Sequence, residues 1–378
     1  MSEIDSAFEL TIEKLWEGKK YNTLRDVLST MQPAQAASLL ALLPESAPAP
    51  HFRLMPKELA AETFVEMEPD MQEKLIRSFS DTELKGVLSE LYLDDAVDLV
   101  EEMPANVVKR ILAQAEPEMR KSINELLQYP EDSAGSIMTT EFVALRPNMT
   151  AGDAIRSIRR TGMDKETVNI CYVIDAARRL LGVVSLRAIV MADEDQTMEA
   201  LMETNVISVT TLEDQEAVAH MFSVYDLNVL PVVDKENRMV GIVTVDDAID
   251  VMEEETTEDI SKMAAITPSD KPYLKTSVLE LWKSRIPWLL LLMLSATFTG
   301  LIITHFEGVL GASIALTAAI PMLMDTGGNC GSQSSVTVIR ALSLGELHFS
   351  DLLKVWWKEI RVALLCGATR QILSSFCW

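Results

Sequence analysis

The sequence predicts a multidomain protein with three parts: an all-α superhelical N-domain, an α/β pair of repeats and an α-helical transmembrane domain. Three observations lead to this prediction. Apolar residues recur at helical spacing in residues 1–130, a strand–helix pattern occurs twice in residues 136–254, and long uncharged runs follow residue 281. Because each pattern has its own period, we expect three separately folded regions.

Residues 1–130 consist of short predicted helices, one following another at intervals of about 10–14 residues. Segments such as PKELAAETFVEM and DDAVDLVEEM place Leu, Met, Val and Ala on one helical face. Pro56, Pro69, Pro104 and Pro117 each stand at a predicted first turn, where the missing N–H of proline costs nothing. Short helices that recur in this way indicate a superhelix.

Residues 136–195 and 196–254 repeat one order of elements: strand, helix, a V-(I/V)-D turn, an L/V-G-(V/I)-V-(S/T) strand and a second helix. The segment LPVVDKENRMVGIVTVDDAIDVM resembles tandem CBS (cystathionine-β-synthase-type) domains. The resemblance implies a cleft for adenine nucleotides such as ATP, in which the Thr and Asp of G-x-x-T-x-x-D hold phosphate and ribose. The matching nucleotide contacts are Tyr172, Arg187, Thr244 and Asp247.

The first repeat departs from that nucleotide pattern. Its equivalents of Thr244 and Asp247 are Ser185 and Ala188. Alanine cannot accept hydrogen bonds from ribose hydroxyls. Whether ATP binds this chain therefore stays open at the level of sequence.

The C-terminal region, residues 281–378, is predicted to lie in a membrane. The uncharged run IPWLLLLMLSATFTGLIIT from Ile286 to Thr304 is long enough to span a bilayer, and a second run extends from Gly308 to Met324. A third apolar run meets Arg370, so we expect two full spans and the start of a third. Both groups of basic flanking residues fall on one side, which predicts a multi-pass protein of the cell (inner) membrane with its N-terminal domains in the cytoplasm; these residues are Lys271, Lys275, Lys283, Arg285, Arg340, Lys354, Lys358 and Arg361.

Charge is distributed unevenly along the chain. The net charge is −24, although the region from Lys271 onward has more basic than acidic residues. The N-terminal part is therefore strongly acidic, which argues against nucleic acid and favours divalent cations as partners. The histidines are scattered and no nucleophile–base pair is evident, so we expect no enzyme activity.

Carboxylates are concentrated at the end of the second repeat. Asp247, Asp250, Glu254 and Glu258 fall on successive turns of one predicted helix, and Asp94, Asp95 and Asp98 share another. Like charges at this spacing repel one another unless a cation lies between them. Mg²⁺ takes oxygen ligands and commonly touches one or two carboxylates per site. A solvated helix face is the alternative explanation for any single acid.

The order of these parts, together with PMLMDTGGNCGSQSSVTVIRAL (Pro321 to Leu342) and ETTEDISKM, resembles the MgtE family of magnesium channels and transporters. The resemblance implies a homodimer in a lipid bilayer, an acidic plug or linker helix at residues 255–280, and gating by cytosolic Mg²⁺. Its regulatory metal ligands match Glu62, Asp94, Asp98, Glu216, Asp226, Asp247, Asp250, Glu255, Glu258 and Asp259. The resemblance also implies that the Pro321–Leu342 motif contributes to a pore wall.

Conduction by this chain and the conformation of the Pro321–Leu342 motif are the two points considered last. The family has five spans with its main pore carboxylate in the last, so we expect this chain to keep the sensor and to lose conduction. The alternative is a membrane-anchored CBS sensor of nucleotide or Mg²⁺ without transport. Within the motif, Asp325, Asn329 and Gln333 are candidate pore-lining residues, and its glycines allow either close helix approach or a local break.

Overall fold

The computed structural model describes residues 6–43, 48–269, 273, 276–312 and 314–377. It divides into two compact units, Met1–Ile249 and Asp250–Trp378. The side chains of residues 6–10, 13, 164, 314–316, 318 and 370–377 are not among those described. Two of the basic residues predicted to precede the first span, Lys271 and Lys275, lie outside the described residues.

The first part of unit one is a succession of short helices. Prolines begin several of them: Pro69 and Pro117 occupy the first helical turn, whereas Pro56 and Pro104 stand just before it. The helices are α1 (Ser6–Glu17), α2 (Tyr21–Leu28), α3 (Pro33–Leu42), α4 (Pro48–Phe52), α5 (Lys57–Val65), α6 (Pro69–Ser78), α7 (Asp81–Leu88), α8 (Leu93–Glu102), α9 (Ala105–Gln114) and α10 (Pro117–Leu126).

These helices pack against neighbours that are close in sequence, as a superhelix requires. Helix α3 contacts α5, α5 contacts α7 and α7 contacts α9. Leu39, Phe64, Leu84 and Ile111 lie on the contacting faces and are almost fully buried. The predicted helical spacing of apolar residues is therefore the spacing that builds this core.

Two sheets of the same topology follow. The first contains β1 (Val143–Leu145), β2 (Ile170–Ile174) and β3 (Leu180–Ser185), with α11 (Ala151–Thr161) and α12 (Leu186–Met191). The second repeat contains α13 (Met198–Leu201), β4 (Val209–Thr210), α14 (Gln215–Tyr225), β5 (Val229–Val233) and β6 (Met239–Thr244). In each sheet the first strand is parallel and the last antiparallel to the middle strand.

Two glycines, Gly182 and Gly241, allow another segment of backbone to pass close to the repeated strands. The segment before β1 crosses to the second repeat, where the N–H of Thr139 donates to the carbonyl of Ile242 at 2.9 Å. A Cβ at Gly241 would lie 2.7 Å from the Thr139 carbonyl, and one at Gly182 would lie 2.7 Å from the Glu203 carbonyl. The glycine of the repeated strand motif is thus required by the close passage of another backbone.

Helix α15 (Val245–Met263) begins directly after β6 and continues through the acidic segment. The last helix of the second repeat and the start of the predicted plug segment are therefore one helix. Unit one ends within it at Ile249, and unit two begins at Asp250. Asp247, Asp250, Glu254 and Glu258 accordingly lie on successive turns of the same helix, as the spacing predicts.

Unit two also contains four later α-helices, three of them long and one short, in the part of the chain that the structure describes. These are α16 (Val278–His305), α17 (Glu307–Gly311), α18 (Ile314–Ser343) and α19 (Leu352–Cys377). Ser277 caps α16 by accepting a hydrogen bond from the N–H of Glu280 at 3.2 Å. Trp282 and Trp288 are both exposed on this helix, as membrane-interface residues would be.

Within the described residues, one helix has the length and composition to cross a membrane: Val278–His305. It contains the first predicted span. The second predicted span, Gly308 to Met324, includes most of α17 and the first part of α18, and the start of the third lies in α19. Helices α18 and α19 are long, but their role as spans stays a prediction.

Candidate functional site

Helix α8 supplies three carboxylates to one region of unit one. Asp94 and Asp95 occupy its first turn, where the helix dipole favours acidic residues, and Asp98 follows one turn later. The neighbouring apolar residues of the helix, Ala96, Val97 and Leu99, are buried in the N-domain. Asp94 is itself only 8% exposed, and its Oδ1 accepts a hydrogen bond from the N–H of Asp95 at 3.0 Å.

The second repeat supplies two further acids at the start of α15, Asp246 and Asp247. Thr244 ends β6 and is 6% exposed. Its hydroxyl donates to Asp247 Oδ2 at 2.6 Å, and its backbone N–H donates to the same oxygen at 3.4 Å. These bonds fix the position of the Asp247 carboxylate at the first turn of the helix.

The acids of α8 and α15 lie close enough to disturb one another's ionisation. Burial, followed by the charge of Asp94, raises the pKa of Asp247 to about 7. Burial and the charges of Asp247 and Asp246 raise the pKa of Asp95 to about 7. Burial and the charge of Asp95 raise the pKa of Asp94 to about 7. The N-domain thus presents its carboxylates to the carboxylates of the second repeat.

Asp98 belongs to the same group but keeps contact with solvent. Desolvation and the charges of Asp247 and Asp94 raise its pKa. Although its side chain is exposed to solvent, Asp98 is therefore influenced by acids of both α8 and α15.

The first repeat adds Glu141 and Glu166. The backbone N–H of Glu166 donates to the carbonyl of Glu141 at 2.9 Å, which holds the two loops together. Among the described residues, Glu166 Oε2 has no hydrogen-bond partner although that atom is buried. Burial, then the charges of Asp94, Asp246 and Asp247, raise the pKa of Glu166 to about 8. This carboxylate therefore faces acids from both the N-domain and the second repeat.

Glu62 of α5 lies at the margin of this region. Burial and then the charges of Glu166, Glu141, Glu62 and Asp94 raise the pKa of the Tyr92 hydroxyl. Tyr92 directly precedes α8. The predicted ligand Glu62 is therefore near the same acids, on an exposed surface.

We refer to seven of these residues as the acidic cluster: Asp94, Asp95, Asp98, Glu141, Glu166, Asp246 and Asp247. The cluster joins the N-domain to both repeats, and its oxygen ligands suit a hard divalent cation. No three His, Cys, Asp or Glu side chains in the described part of the chain form a group that could hold a bare metal ion. A hydrated Mg²⁺, which retains water and contacts one or two carboxylates, fits the acidic cluster better than a fully dehydrated ion does.

Sequence reasoning identified Asp94, Asp98 and Asp247 but missed Glu141 and Glu166 as site residues. Asp95 and Asp246 are next to the predicted ligands Asp94 and Asp247. Knowing where α8 and α15 begin would have been enough to add both residues to the predicted site. Glu141 and Glu166 lie in separate loops, which the backbone hydrogen bond between them joins. A single sequence carries no signal for that contact.

The structure separates two other predicted ligands. Glu216 is in the first turn of α14, and Asp226 follows its last turn with a left-handed backbone of φ 51°. The intervening helix is about 15 Å long, so the two carboxylates of one chain do not share an ion. Their assignment as metal ligands stays a prediction.

The remaining predicted metal ligands lie in unit two, on α15 from Asp250 onward. Asp250 is exposed, whereas Glu255, Glu258 and Asp259 are half-buried. Glu258 Oε1 pairs with Lys262 Nζ at 2.8 Å, one helical turn away. A cation at Glu258 would compete with this lysine, and the cost is small because the pair is partly exposed.

The predicted nucleotide residues do not form a single polar pocket. Tyr172 is fully buried, and its hydroxyl has no hydrogen-bond partner among the described residues. Arg187 is exposed. Thr244 and Asp247 are bonded to each other, and Asp247 belongs to the acidic cluster. The residues present therefore fit a cation better than they fit ATP.

The candidate pore residues Asp325, Asn329 and Gln333 all lie on α18 and are exposed. The helix runs without interruption through the glycine motif, so a local break is not the structure that these glycines adopt. A Cβ at Gly327, Gly328 or Gly331 would have no atom within 4 Å among the described residues. Four residues past Cys330, the Ser334 hydroxyl donates to Glu359 of α19.

Comparison with protein families agrees with this organisation. The MgtE intracellular N domain matches residues 19–132, the CBS domain matches residues 134–195 and 198–254, and a family described as divalent cation transporter matches residues 320–378.

Known relatives extend the match along nearly the whole chain. The magnesium transporter MgtE of Thermus thermophilus is 40% identical over 96% of this chain and 81% of its own length. That of Bacillus subtilis is 32% identical over 94% and 78%. A crystal structure of the cytosolic domain of the Mg²⁺ channel MgtE in complex with ATP is 36% identical, with a TM-score of 0.61, over 64% of this chain and 99% of that one. The chain belongs to the MgtE family of magnesium transporters.

Proposed function

We propose that this chain is a subunit of a Mg²⁺ channel or transporter whose conduction is controlled by cytosolic Mg²⁺ at the acidic cluster. The observation that carries the proposal is the apposition of α8 with the start of α15, where buried carboxylates from two domains face each other. The names of the relatives favour transport over a sensor that is only anchored in the membrane.

Repulsion within the acidic cluster supplies the switch. Without a divalent cation, the ionised acids of α8 and α15 repel each other and favour separation of the N-domain from the repeats. Hydrated Mg²⁺ between them offsets the repulsion and favours the compact arrangement. The ion therefore shifts a conformational equilibrium by binding one state more tightly than the other. In the proposed function, the compact state is the closed one.

The finer features of the assembly belong to the same proposal. The subunit acts as a homodimer in the cell (inner) membrane, with more than one span and with unit one in the cytoplasm. Asp325, Asn329 and Gln333 offer oxygen atoms to a hydrated cation along the pore. Mn²⁺ and Co²⁺ suit the same ligands, so competition during uptake identifies the preferred ion.

Limited proteolysis of the full chain in lipid nanodiscs tests the Mg²⁺ response. We expect Mg²⁺ to slow tryptic cleavage of unit one, half-maximally at about millimolar concentration, because the site is rich in solvent. In the variant Asp247→Asn combined with Asp250→Asn, the difference between cleavage with and without Mg²⁺ becomes smaller. Equal cleavage of the natural chain in both conditions would refute the proposal.

Uptake into proteoliposomes tests transport separately. With a Mg²⁺-sensitive dye inside the vesicles, the proposal predicts an inward flux that high Mg²⁺ on the side of unit one suppresses. Matched vesicles without protein report leakage. Protease protection without any flux would agree with the expectation from the sequence that this chain keeps the sensor and loses conduction, and it would count against transport by this chain.

A further inference from the structure

A relative's cytosolic domain was crystallised with ATP, so nucleotide is the ligand that the family suggests for the paired repeats. A nucleoside triphosphate needs an acceptor for its ribose hydroxyls, a surface for its base and an environment that tolerates several negative charges. Each repeat has one position equivalent to a nucleotide contact, and we call these two positions half-sites. They can be compared for the three properties. The second repeat has Thr244 and Asp247 where the first has Ser185 and Ala188.

The half-site of the second repeat already has another role. Asp247 Oδ2 accepts the hydroxyl proton of Thr244 at 2.6 Å. The same carboxylate lies near Asp94 and Asp98 of the N-domain. A triphosphate placed here would meet the carboxylates of α8, which repel it. This half-site therefore suits a cation and disfavours a nucleotide.

The half-site of the first repeat lacks the ribose acceptor. Ser185 Oγ accepts a hydrogen bond from the N–H of Ala188 at 3.1 Å and so caps α12. The Ala188 methyl group packs against the core of the first repeat, which includes Val184 and Ile189. No carboxylate takes the place that Asp247 occupies in the second repeat.

Tyr172 offers no free ring face to a base. It is 0% exposed and packs between the sheets with Met239 and Ile242 of the second repeat. Its ring makes an edge contact with Phe142 at a centroid distance of 5.7 Å and an interplanar angle of 87°. Tyr172 therefore does not stack on an adenine base while the sheets stay packed, and the ribose acceptor is the contact that a substitution can restore.

We propose that Ala188 is the residue that makes the Mg²⁺ response of this chain independent of purine nucleoside triphosphates. The chain retains the cation-binding half of the paired repeats and lacks the ribose-binding half. The inference rests on the proposed function for the Mg²⁺ response, but ATP binding is measured independently of it.

Equilibrium dialysis of the full chain in detergent against radiolabelled ATP, at clamped free Mg²⁺, measures binding directly. The natural chain shows no saturable binding up to about 1 mM ATP, the limit of weak specific association. In parallel, ATP shifts the Mg²⁺ midpoint of protease protection less than about twofold. Saturable binding by the natural chain, or a larger shift, overturns the inference.

Two variants test the role of Ala188 itself. Ala188→Asp restores the carboxylate acceptor, and Ala188→Asn restores an acceptor of the same shape without charge. Hydrogen bonds to a charged group predict a gain in ATP affinity of about tenfold or more for Ala188→Asp. Thermal melting shows whether each variant is folded. If Ala188→Asp does not fold, the ATP affinity of Ala188→Asn tests the role of Ala188 instead. Absence of any gain in a folded variant overturns the role of Ala188.

The two proposals fail in different ways. If Mg²⁺ gives no protection in the absence of ATP, the proposed function is wrong, while ATP binding to Ala188→Asp still reports on the half-site. If Mg²⁺ protects the natural chain and ATP also binds it saturably, the proposed function stands and the inference is wrong.

Discussion

The substitution Asp247→Asn is expected to make unit one compact with less Mg²⁺. Asp247 contributes a negative charge to the acidic cluster, and Asn removes that charge while keeping an oxygen that can accept the Thr244 hydroxyl proton. The helix cap is therefore preserved. The main change is the loss of a charge that is disfavoured first by its burial and then by the nearby charge of Asp94 of α8.

The size of the effect follows from the raised pKa of Asp247. A rise from 3.8 to about 7 corresponds to about 4 kcal/mol at a pH well above 7. Because the raised value belongs to the folded state, the contribution of Asp247 to stability is fully present below pH 4 and is lost as the pH rises through 7. Neighbouring acids share the same repulsion and partly relax, so one substitution recovers about 1–2 kcal/mol. That corresponds to about a tenfold change in the population of the separated state.

The rate of tryptic cleavage at pH 8 without Mg²⁺ measures this population, because cleavage requires opening. We expect Asp247→Asn to be cleaved about five- to tenfold more slowly than the natural chain. Asp26→Asn is the matched control, since Asp26 is exposed on α2 and is not a member of the acidic cluster. It should be cleaved at the natural rate.

One result would refute this reasoning. If Asp247→Asn and Asp26→Asn are cleaved at the same rate without Mg²⁺, the charge of Asp247 does not oppose the compact state. The acidic cluster would then be a solvated surface rather than a switch.

Two further predictions concern the acidic cluster, and a third concerns the packing of the repeats. Without Mg²⁺, the natural chain should resist trypsin better at pH 6 than at pH 8, with activity-matched protease, because protons neutralise acids whose pKa values are raised; saturating Mg²⁺ should remove the difference. Glu166→Gln should increase resistance in Mg²⁺-free buffer as Asp247→Asn does, and an unchanged rate would place Glu166 outside the acidic cluster. Gly241→Ala should destabilise unit one by about 1–3 kcal/mol, because its Cβ would lie 2.7 Å from the Thr139 carbonyl. The control Gly86→Ala, in the open interior of α7, should be neutral or stabilising. Equal melting temperatures for the two variants would show that the backbone at Gly241 moves to make room for the methyl group.

Much of the fold could be predicted because local patterns and tertiary packing agree. The repeated glycine strand motif marks both sheets, and the same backbone proximity explains Gly182 and Gly241. The helical spacing of the acids at the end of the second repeat is realised in α15. Where one helix carries both the apolar face and the charges, sequence spacing is sufficient to place the side chains.

The parts that could not be predicted depend on contacts between distant segments. Strand β2 is buried on both faces: Cys171 packs into the core of the first repeat, while Tyr172 faces the second repeat. Side chains alternate between the two faces of such a strand, but both faces are buried. The sequence therefore does not show which side chain a ligand could reach. The position of Glu166 depends on a loop-to-loop hydrogen bond with Glu141. The glycine motif in α18 stays helical because main-chain hydrogen bonding along a 30-residue helix outweighs the low helix propensity of glycine.

The central claim is that Mg²⁺ holds the N-domain against the repeats at the acidic cluster. The most direct test is the distance between spin labels on cysteines introduced at Glu90 and Lys235, both exposed in unit one. Labelled chains are diluted with unlabelled chains in nanodiscs at pH 8, so that only distances within one chain contribute. We predict a broad distance distribution without Mg²⁺ that becomes narrow when Mg²⁺ is added. The same distribution in both conditions would contradict the claim.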